Sequence, residues 1–197
     1  MPETLKRLID IIAFLPWIGE KTAIKLAFFL LKANSAYVKN FSKILQDVQN
    51  EIIECSSCHG MTDRSNHLCK ICSDETRDNS ILCIVEDYLD MLSIERVGIY
   101  RWRYHVLGWS ISPIQWTMPK DLTITHLFER VRSDVLIHEM ILATNPNIEW
   151  EATSLYIREN IPRKNLHISR LSKGLPHAGS IEYADEITLL NKLNGRG

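Results

Sequence analysis

The chain has 197 residues, 45% hydrophobic and 24% charged, which is ordinary globular usage and excludes a largely disordered chain. No apolar run approaches the roughly 18–20 residues of a bilayer span, and a formal charge of −1 gives no global reason for nonspecific polyanion binding. The opening Met1-Pro2-Glu3-Thr4 lacks the basic and apolar regions of a secretory signal, so the expected address is the cytoplasm, with no membrane contact. The length suits one to two domains.

Charge is unevenly spread. Residues 1–50 carry seven Lys and Arg against four Asp and Glu, whereas residues 51–78 carry three against six. A polyanion contact is therefore expected first in the N-terminal region. There Leu5, Leu8, Ile9 and Ile12 fall on one helical face. Leu15-Pro16-Trp17-Ile18-Gly19 reads as a turn, and a second helix follows with Ala23, Ala27, Leu30 and Leu31 inward. Tyr37, Val38, Phe41, Ile44, Leu45 and Val48 predict a third helix. Helix, Pro-x-x-Gly turn and lysine-bearing helix is the arrangement of a helix-hairpin-helix element, whose backbone N–H groups meet a phosphate at a helix N-terminus. Such contacts position a protein on DNA without reading sequence. The local pattern also fits a plain helical turn with solvated lysines.

Cys55-x-x-Cys58 and Cys69-x-x-Cys72 form two knuckles separated by ten residues, the requirement of a tetrahedral four-thiolate zinc site. In a cytoplasmic chain this pattern points to metal rather than disulfides. With all four positions thiolate, no coordination site stays open for a catalytic water, so the zinc is expected to be structural. His59 and His67 lie beside the cysteines and are read as supporting or surface residues. Cys83, in the run Ile81-Leu82-Cys83-Ile84-Val85, is read as core.

Beyond residue 80, short apolar runs at 81–85, 103–108, 140–144 and 166–168 alternate with helical patterns at 89–97, 124–131 and 152–160. This is the rhythm of a mostly parallel sheet covered by helices on both faces. Functional residues of such sheets cluster outside the carboxyl ends of the strands. Glu86 stands at one such end, and Glu149 and Glu151 beyond another. Carboxylates there could hold Mg²⁺. Equally, Glu149 and Glu151 favour the N-terminus of the following helix.

Four ordered blocks together resemble the RecR family of bacterial recombination mediators. They are the hairpin element, the four-cysteine module, a Toprim domain and a distinctive tail. The Toprim likeness rests on Ile84-Val85-Glu86, Tyr104-His105-Val106-Leu107-Gly108, Ile111-Ser112-Pro113 and Ala143-Thr144-Asn145-Pro146-Asn147, with Glu149-x-Glu151-Ala152-Thr153. The tail likeness rests on Arg170-Leu171-Ser172-Lys173-Gly174-Leu175-Pro176 and Glu182-Tyr183-Ala184-Asp185-Glu186. The resemblance implies a multi-part α/β chain: a helix-hairpin-helix DNA-binding region at 1–52, a zinc module at 53–78, a Toprim domain with a parallel sheet at 79–168, and a C-terminal segment at 169–197 used in oligomer contacts. It implies a non-enzymatic homodimer or homotetramer that clamps DNA and acts with RecO-like and RecF-like proteins to load recombinase on single-stranded gaps. Lys21 and Lys25 match basic positions facing DNA. Glu86, Glu149 and Glu151 match the Toprim acidic positions, where any Mg²⁺ would not be catalytic. The rival is a Toprim-type DNA-cleaving or primase enzyme. Topoisomerases with a similar segment have Asp where this chain has Asn145 and Asn147, and two neutral amides weaken a would-be Mg²⁺ cage.

The five tryptophans, Trp17, Trp102, Trp109, Trp116 and Trp150, all fall where RecR-like chains have glycine. Glycine itself is scarce, at 8 residues, and restoring it at the 5 tryptophan positions would give 13. The pattern fits UGA codons translated as Trp in a gene whose host reads them as Gly; the alternatives are a divergent paralogue, or exposed aromatics that stack on single-stranded bases. A hairpin turn that approaches a phosphate favours a residue without Cβ. The indoles are accordingly expected to be solvent-exposed or forced.

Overall fold

The computed structural model describes residues 1–112, 116–143 and 147–171. The chain divides into two compact units, 1–52 and 53–197. The expected signature residues Pro113, Thr144, Asn145 and Pro146, and the tail from Ser172 onward, lie outside the described residues.

In the first unit α1 (Glu3–Ala13) packs on α2 (Glu20–Lys32), and α3 (Ser35–Glu51) follows. Ile9 and Ile12 meet Ala23 and Ala27, with Leu5, Leu8, Ile18 and Leu30 around them. Ala23 and Ala27 are one helical turn apart and fully buried, so their small side chains let the two helices close on one another. Between the helices, the Ile18 amide donates to the Leu15 carbonyl at 3.2 Å, closing a four-residue turn with Pro16 second and Trp17 third. Trp17 has φ 67° and its side chain is fully exposed. The third place of a Pro-initiated turn with positive φ is where a type II turn calls for glycine. Asn34 caps α3 by accepting from the Ala36 amide at 2.8 Å. This helix buries none of its residues, and Tyr37, Phe41, Ile44, Leu45 and Val48 remain exposed.

The second unit opens with a small two-stranded sheet, β1 (Ile52–Glu54) with β2 (Met61–Asp63), and a short helix α4 (Lys70–Ser73). Then come β3 (Ile81–Val85), α5 (Tyr88–Val97), β4 (Arg103–Val106), α6 (Ile124–Ser133), β5 (Glu139–Ala143), α7 (Ile148–Asn160) and β6 (His167–Arg170). The four later strands form one parallel sheet in the order β4-β3-β5-β6, with Cys83 beside both Tyr104 and Ile141, and Ile141 beside Ser169. The expected α/β architecture is observed. Alternation along β3 sorts the core: Leu82 and Ile84 pack with Leu127, Val131, Trp150 and Ile157 from α6 and α7, whereas Cys83 and Val85 pack with Met91 of α5. Cys83 is core, and burial pushes its thiol up to about 12.

The chain steps from β3 outward to β4, then crosses back past β3 to β5 on its other side, so the winding direction reverses at β3. The crevice beyond the carboxyl ends of β3 and β5 is therefore the topological switch point of the sheet. Glu86 follows β3 directly, and α7 begins beyond β5.

The tryptophans divide. Trp116 has φ 57° and is exposed, beside the Ser112–Thr117 bridge, and Trp109 is exposed just after Gly108 at φ 88°. Trp102 is half-buried, its indole N–H donating to Asp78 at 3.2 Å. Trp150 departs from the expectation of exposure: it is 1% exposed, inside the main core. It is the third residue of α7, and helical periodicity turns that position toward the sheet together with Thr153, Ser154 and Ile157.

Candidate metal centre and nucleic-acid interface

Two tight turns bring the cysteines together. The first lies between β1 and β2, where the Cys55 amide donates to the Gly60 carbonyl at 2.6 Å and the His59 amide to the Cys55 carbonyl at 3.0 Å. His59 takes φ 60° to make this bend. A Cβ at Gly60 would crowd Cys58 Sγ and the Tyr88 ring, each at 3.3 Å. The second turn is the start of α4, where Cys69 is the cap residue and its sulfur accepts from the Cys72 amide at 3.4 Å.

The four sulfurs lie within 4.8 Å of one another, with Cys58 and Cys69 Sγ at 3.6 Å. A tetrahedral site with Zn–S bonds of about 2.3 Å places its sulfurs roughly 3.8 Å apart, so this donor set fits zinc. Backbone amides of Gly60 and Cys69 also point at sulfur, at 3.4 and 3.3 Å, and favour the thiolate form. Sulfurs this close cannot all ionise without a cation. The Cys69 thiol is driven down through its bond with Cys58, while Cys58 is driven up by the same contact. A metal ion such as zinc would supply the compensating positive charge, and Cys55, Cys58, Cys69 and Cys72 would hold it.

The module is fastened to the large sheet by contacts that the sequence did not announce. The Val106 amide donates to the Cys58 carbonyl at 2.8 Å, so the first knuckle covers the open edge of β4. Arg130 Nη1 from α6 donates to the Ser57 carbonyl at 3.1 Å and the Tyr104 carbonyl at 2.9 Å, bridging knuckle and strand. Arg103, on β4, donates to the carbonyls of Ile71 and Asp74 around the second knuckle and to Asn79 Oδ1. His59 stacks on His126 at 4.8 Å and its Nδ1 lies 3.1 Å from the accepting Glu54 Oε2, as befits a supporting residue. His105 is fully buried with Nε2 on Thr123, and burial pushes its pKa down to about 3. The available signal was charged and imidazole residues inside a strand pattern, at 103 and 105. Replacing Arg130 by Ala is expected to cost about 2–3 kcal/mol, since charged hydrogen bonds to two part-buried carbonyls are lost. Chemical denaturation of the zinc-loaded protein measures it, and a cost under about 0.5 kcal/mol, the level of an ordinary surface change, would contradict the bridging role.

In the first unit, Gly19 caps α2 with no side-chain hydrogen bond. Lys21 and Lys25 are both exposed and one turn apart, on the side of α2 away from Ala23 and Ala27. They extend the positive end of the helix dipole into a basic stripe beside the turn.

The acidic residues do not form a comparable group. Trp150 donates its indole N–H to Glu86 Oε2. Glu151 Oε2 accepts from Arg170 at 2.7 Å. Glu149 and Glu151 are two residues apart in the first turn of α7, so their side chains leave the helix in different directions.

The family model for the RecR helix-hairpin-helix matches residues 5–49, and that for the Toprim domain matches residues 80–172. The chain belongs to the RecR family. The two matches leave residues 50–79 between them, and this stretch holds the four clustered cysteines. RecR membership places the chain in DNA recombination and repair. No helix among the described residues is long and apolar enough to cross a membrane.

Proposed function

We propose that this RecR-type protein is a non-enzymatic, cytoplasmic DNA-binding mediator. The amino end of α2 and Lys21 and Lys25 hold backbone phosphate, and copies of the chain close around DNA as a dimeric or tetrameric clamp. With RecO-like and RecF-like partners the clamp helps load recombinase on single-stranded gaps. The observation that carries the reading is the matched hairpin at 5–49, with both lysines exposed on the face of α2 opposite its packing stripe. The unburied apolar face of α3 supports self-association, because isolated helices rarely leave five large apolar side chains in water. The proposed organisation remains 1–52, 53–78, 79–168 and 169–197, with the last segment serving oligomer contacts.

Phosphate contacts make a specific salt prediction. Each one adds about −0.9 to the slope of log K against log salt on duplex DNA. The double variant Lys21→Ala/Lys25→Ala should therefore bind gapped duplex about tenfold or more weakly at low salt, with a slope shallower by about 2. Fluorescence anisotropy across a salt series reads both, and an unchanged slope would count against the hairpin as the contact. The rival cleaving enzyme predicts metal-dependent nicking of supercoiled plasmid that Glu86→Gln abolishes. The mediator predicts intact plasmid with Mg²⁺ or Mn²⁺.

A further inference from the structure

A second surface, in the second unit, has no part in the hairpin's phosphate contact. The helix α5 stops at Gly98, φ 75°, and its end and the lead-in to β4 border a groove of about 450 Å³. That volume lies within the roughly 300–1,000 Å³ of small-ligand sites. The walls are Ser93, Ile94, Val97, Ile99, Tyr100 and Trp102, nearly all apolar. Val97 is 65% exposed and Ile99 78%, so neither serves the core. The Tyr100 and Trp102 rings meet edge to face, their centroids 5.1 Å apart. Both are held in place: the Tyr100 hydroxyl donates to the Arg103 carbonyl at 3.2 Å, and the Trp102 indole N–H to Asp78. Fixed, half-buried aromatic rings are platforms on which unpaired bases stack.

The charge beside the groove matches such a ligand. Residues 96–103 include three arginines and no acidic residue, in a chain whose formal charge is −1. Arg103 is engaged by the carbonyls of Ile71 and Asp74, whereas Arg96 and Arg101 are exposed. Arg96 follows Ser93 by three residues on α5, and Arg101 stands between Tyr100 and Trp102. The local carboxylates are occupied: Glu95 by Arg77 at 2.6 Å, and Asp78 by the Ser80 amide as well as the indole. Guanidinium groups suit phosphate, which an apolar protein surface would not offer them.

We propose that this groove seats an unpaired nucleobase of single-stranded DNA, bedded against Val97, Ile99, Tyr100 and Trp102, with Arg96 and Arg101 on the flanking phosphates. It rests on the DNA-binding reading above but shares no residue with the hairpin. A paired base is stacked within its duplex, so the groove discriminates single strand from double strand, which backbone contacts at the hairpin do not.

The test irradiates zinc-loaded full-length protein with oligothymidylate carrying 5-iodouracil and locates the crosslink by peptide mass spectrometry. Attachment at Tyr100 or Trp102 is expected. Either ring suffices, so glycine at position 102 would leave Tyr100 to report. Fluorescence anisotropy then compares oligothymidylate with blunt duplex. Val97→Ser/Ile99→Ser should bind the single strand about fivefold or more weakly and the duplex as the parent does. Arg96→Ala/Arg101→Ala should lose about tenfold on the single strand, with a salt slope shallower by about 1.4, two phosphates at about 0.7 each. Both pairs sit on the surface and should keep full zinc content and a cooperative melt. Crosslinks confined to residues outside the groove, or single-strand affinity unchanged in Val97→Ser/Ile99→Ser, would overturn the proposal while the hairpin reading stands. Unchanged affinity is also the result expected of a groove that seats an apolar protein partner instead. A parent chain that binds neither DNA would overturn both readings.

Discussion

Removing zinc is expected to dismantle residues 53–78 and to expose the β4 edge of the Toprim sheet. The module is too small to hold together otherwise: its buried hydrophobic residues are Cys55, Cys58 and Cys69 themselves, with Ile71 and Cys72 packed against them. Apparent zinc-binding free energies of about 10–16 kcal/mol at neutral pH are, in such modules, folding free energy. Cys58→Ser should therefore lose the metal and cost far more than an ordinary core change. The Cys58 carbonyl accepts from Val106 and the adjacent Ser57 carbonyl from Arg130, so the damage should travel into the sheet. One zinc per chain by elemental analysis, and loss of hydrogen-exchange protection at the Val106 amide on chelation, are the expected results. A metal-free protein with Val106 still protected would contradict the account.

Trp17→Gly is expected to do two things at once. A left-handed backbone costs a residue with a Cβ about 1–2 kcal/mol, and glycine avoids that cost, so the variant should be more stable by about 1 kcal/mol. It also removes a fully exposed indole from the turn that leads into α2, where a DNA phosphate is proposed to sit. DNA affinity should rise about tenfold, a gain of about 1.4 kcal/mol. Trp116→Gly, also at positive φ, should share the gain in stability without the gain in binding. The same logic reaches the gene: codons 17, 102, 109, 116 and 150 are expected to be TGA, and TGG at these places would end the recoding explanation. A fall in single-strand affinity in Trp17→Gly would instead show the indole stacking on bases.

Much of this molecule was legible beforehand because its signals are local. The bounds of β3 coincide with the apolar run 81–85, and the paired knuckles name their own ligands, since four thiols at that spacing have few other uses. The three N-terminal helices follow from apolar periodicity. What stayed hidden depends on long-range geometry. Arg103 and Arg130 look like surface charges in a linear reading, and only the folded sheet reveals the carbonyls of residues 57, 71, 74 and 104 to which they donate. Trp150 was expected to be exposed or forced. Its burial follows from the phase of α7, which begins at Ile148, earlier than the expected helical pattern at 152. The divergence of Glu149 and Glu151 follows from that same early start: in a loop they could converge on one ion, whereas in a helix they cannot.

The central claim, a RecR-type hairpin that holds DNA by its backbone and two lysines, is tested most directly in the Trp17→Gly background. Binding of zinc-loaded protein to a gapped duplex is compared with and without the Lys21→Ala/Lys25→Ala pair. The account predicts tighter binding than the parent in Trp17→Gly alone, and loss of that gain with a shallower salt dependence once the lysines are removed. Equal affinity in the two proteins would mean that the hairpin is not the DNA contact.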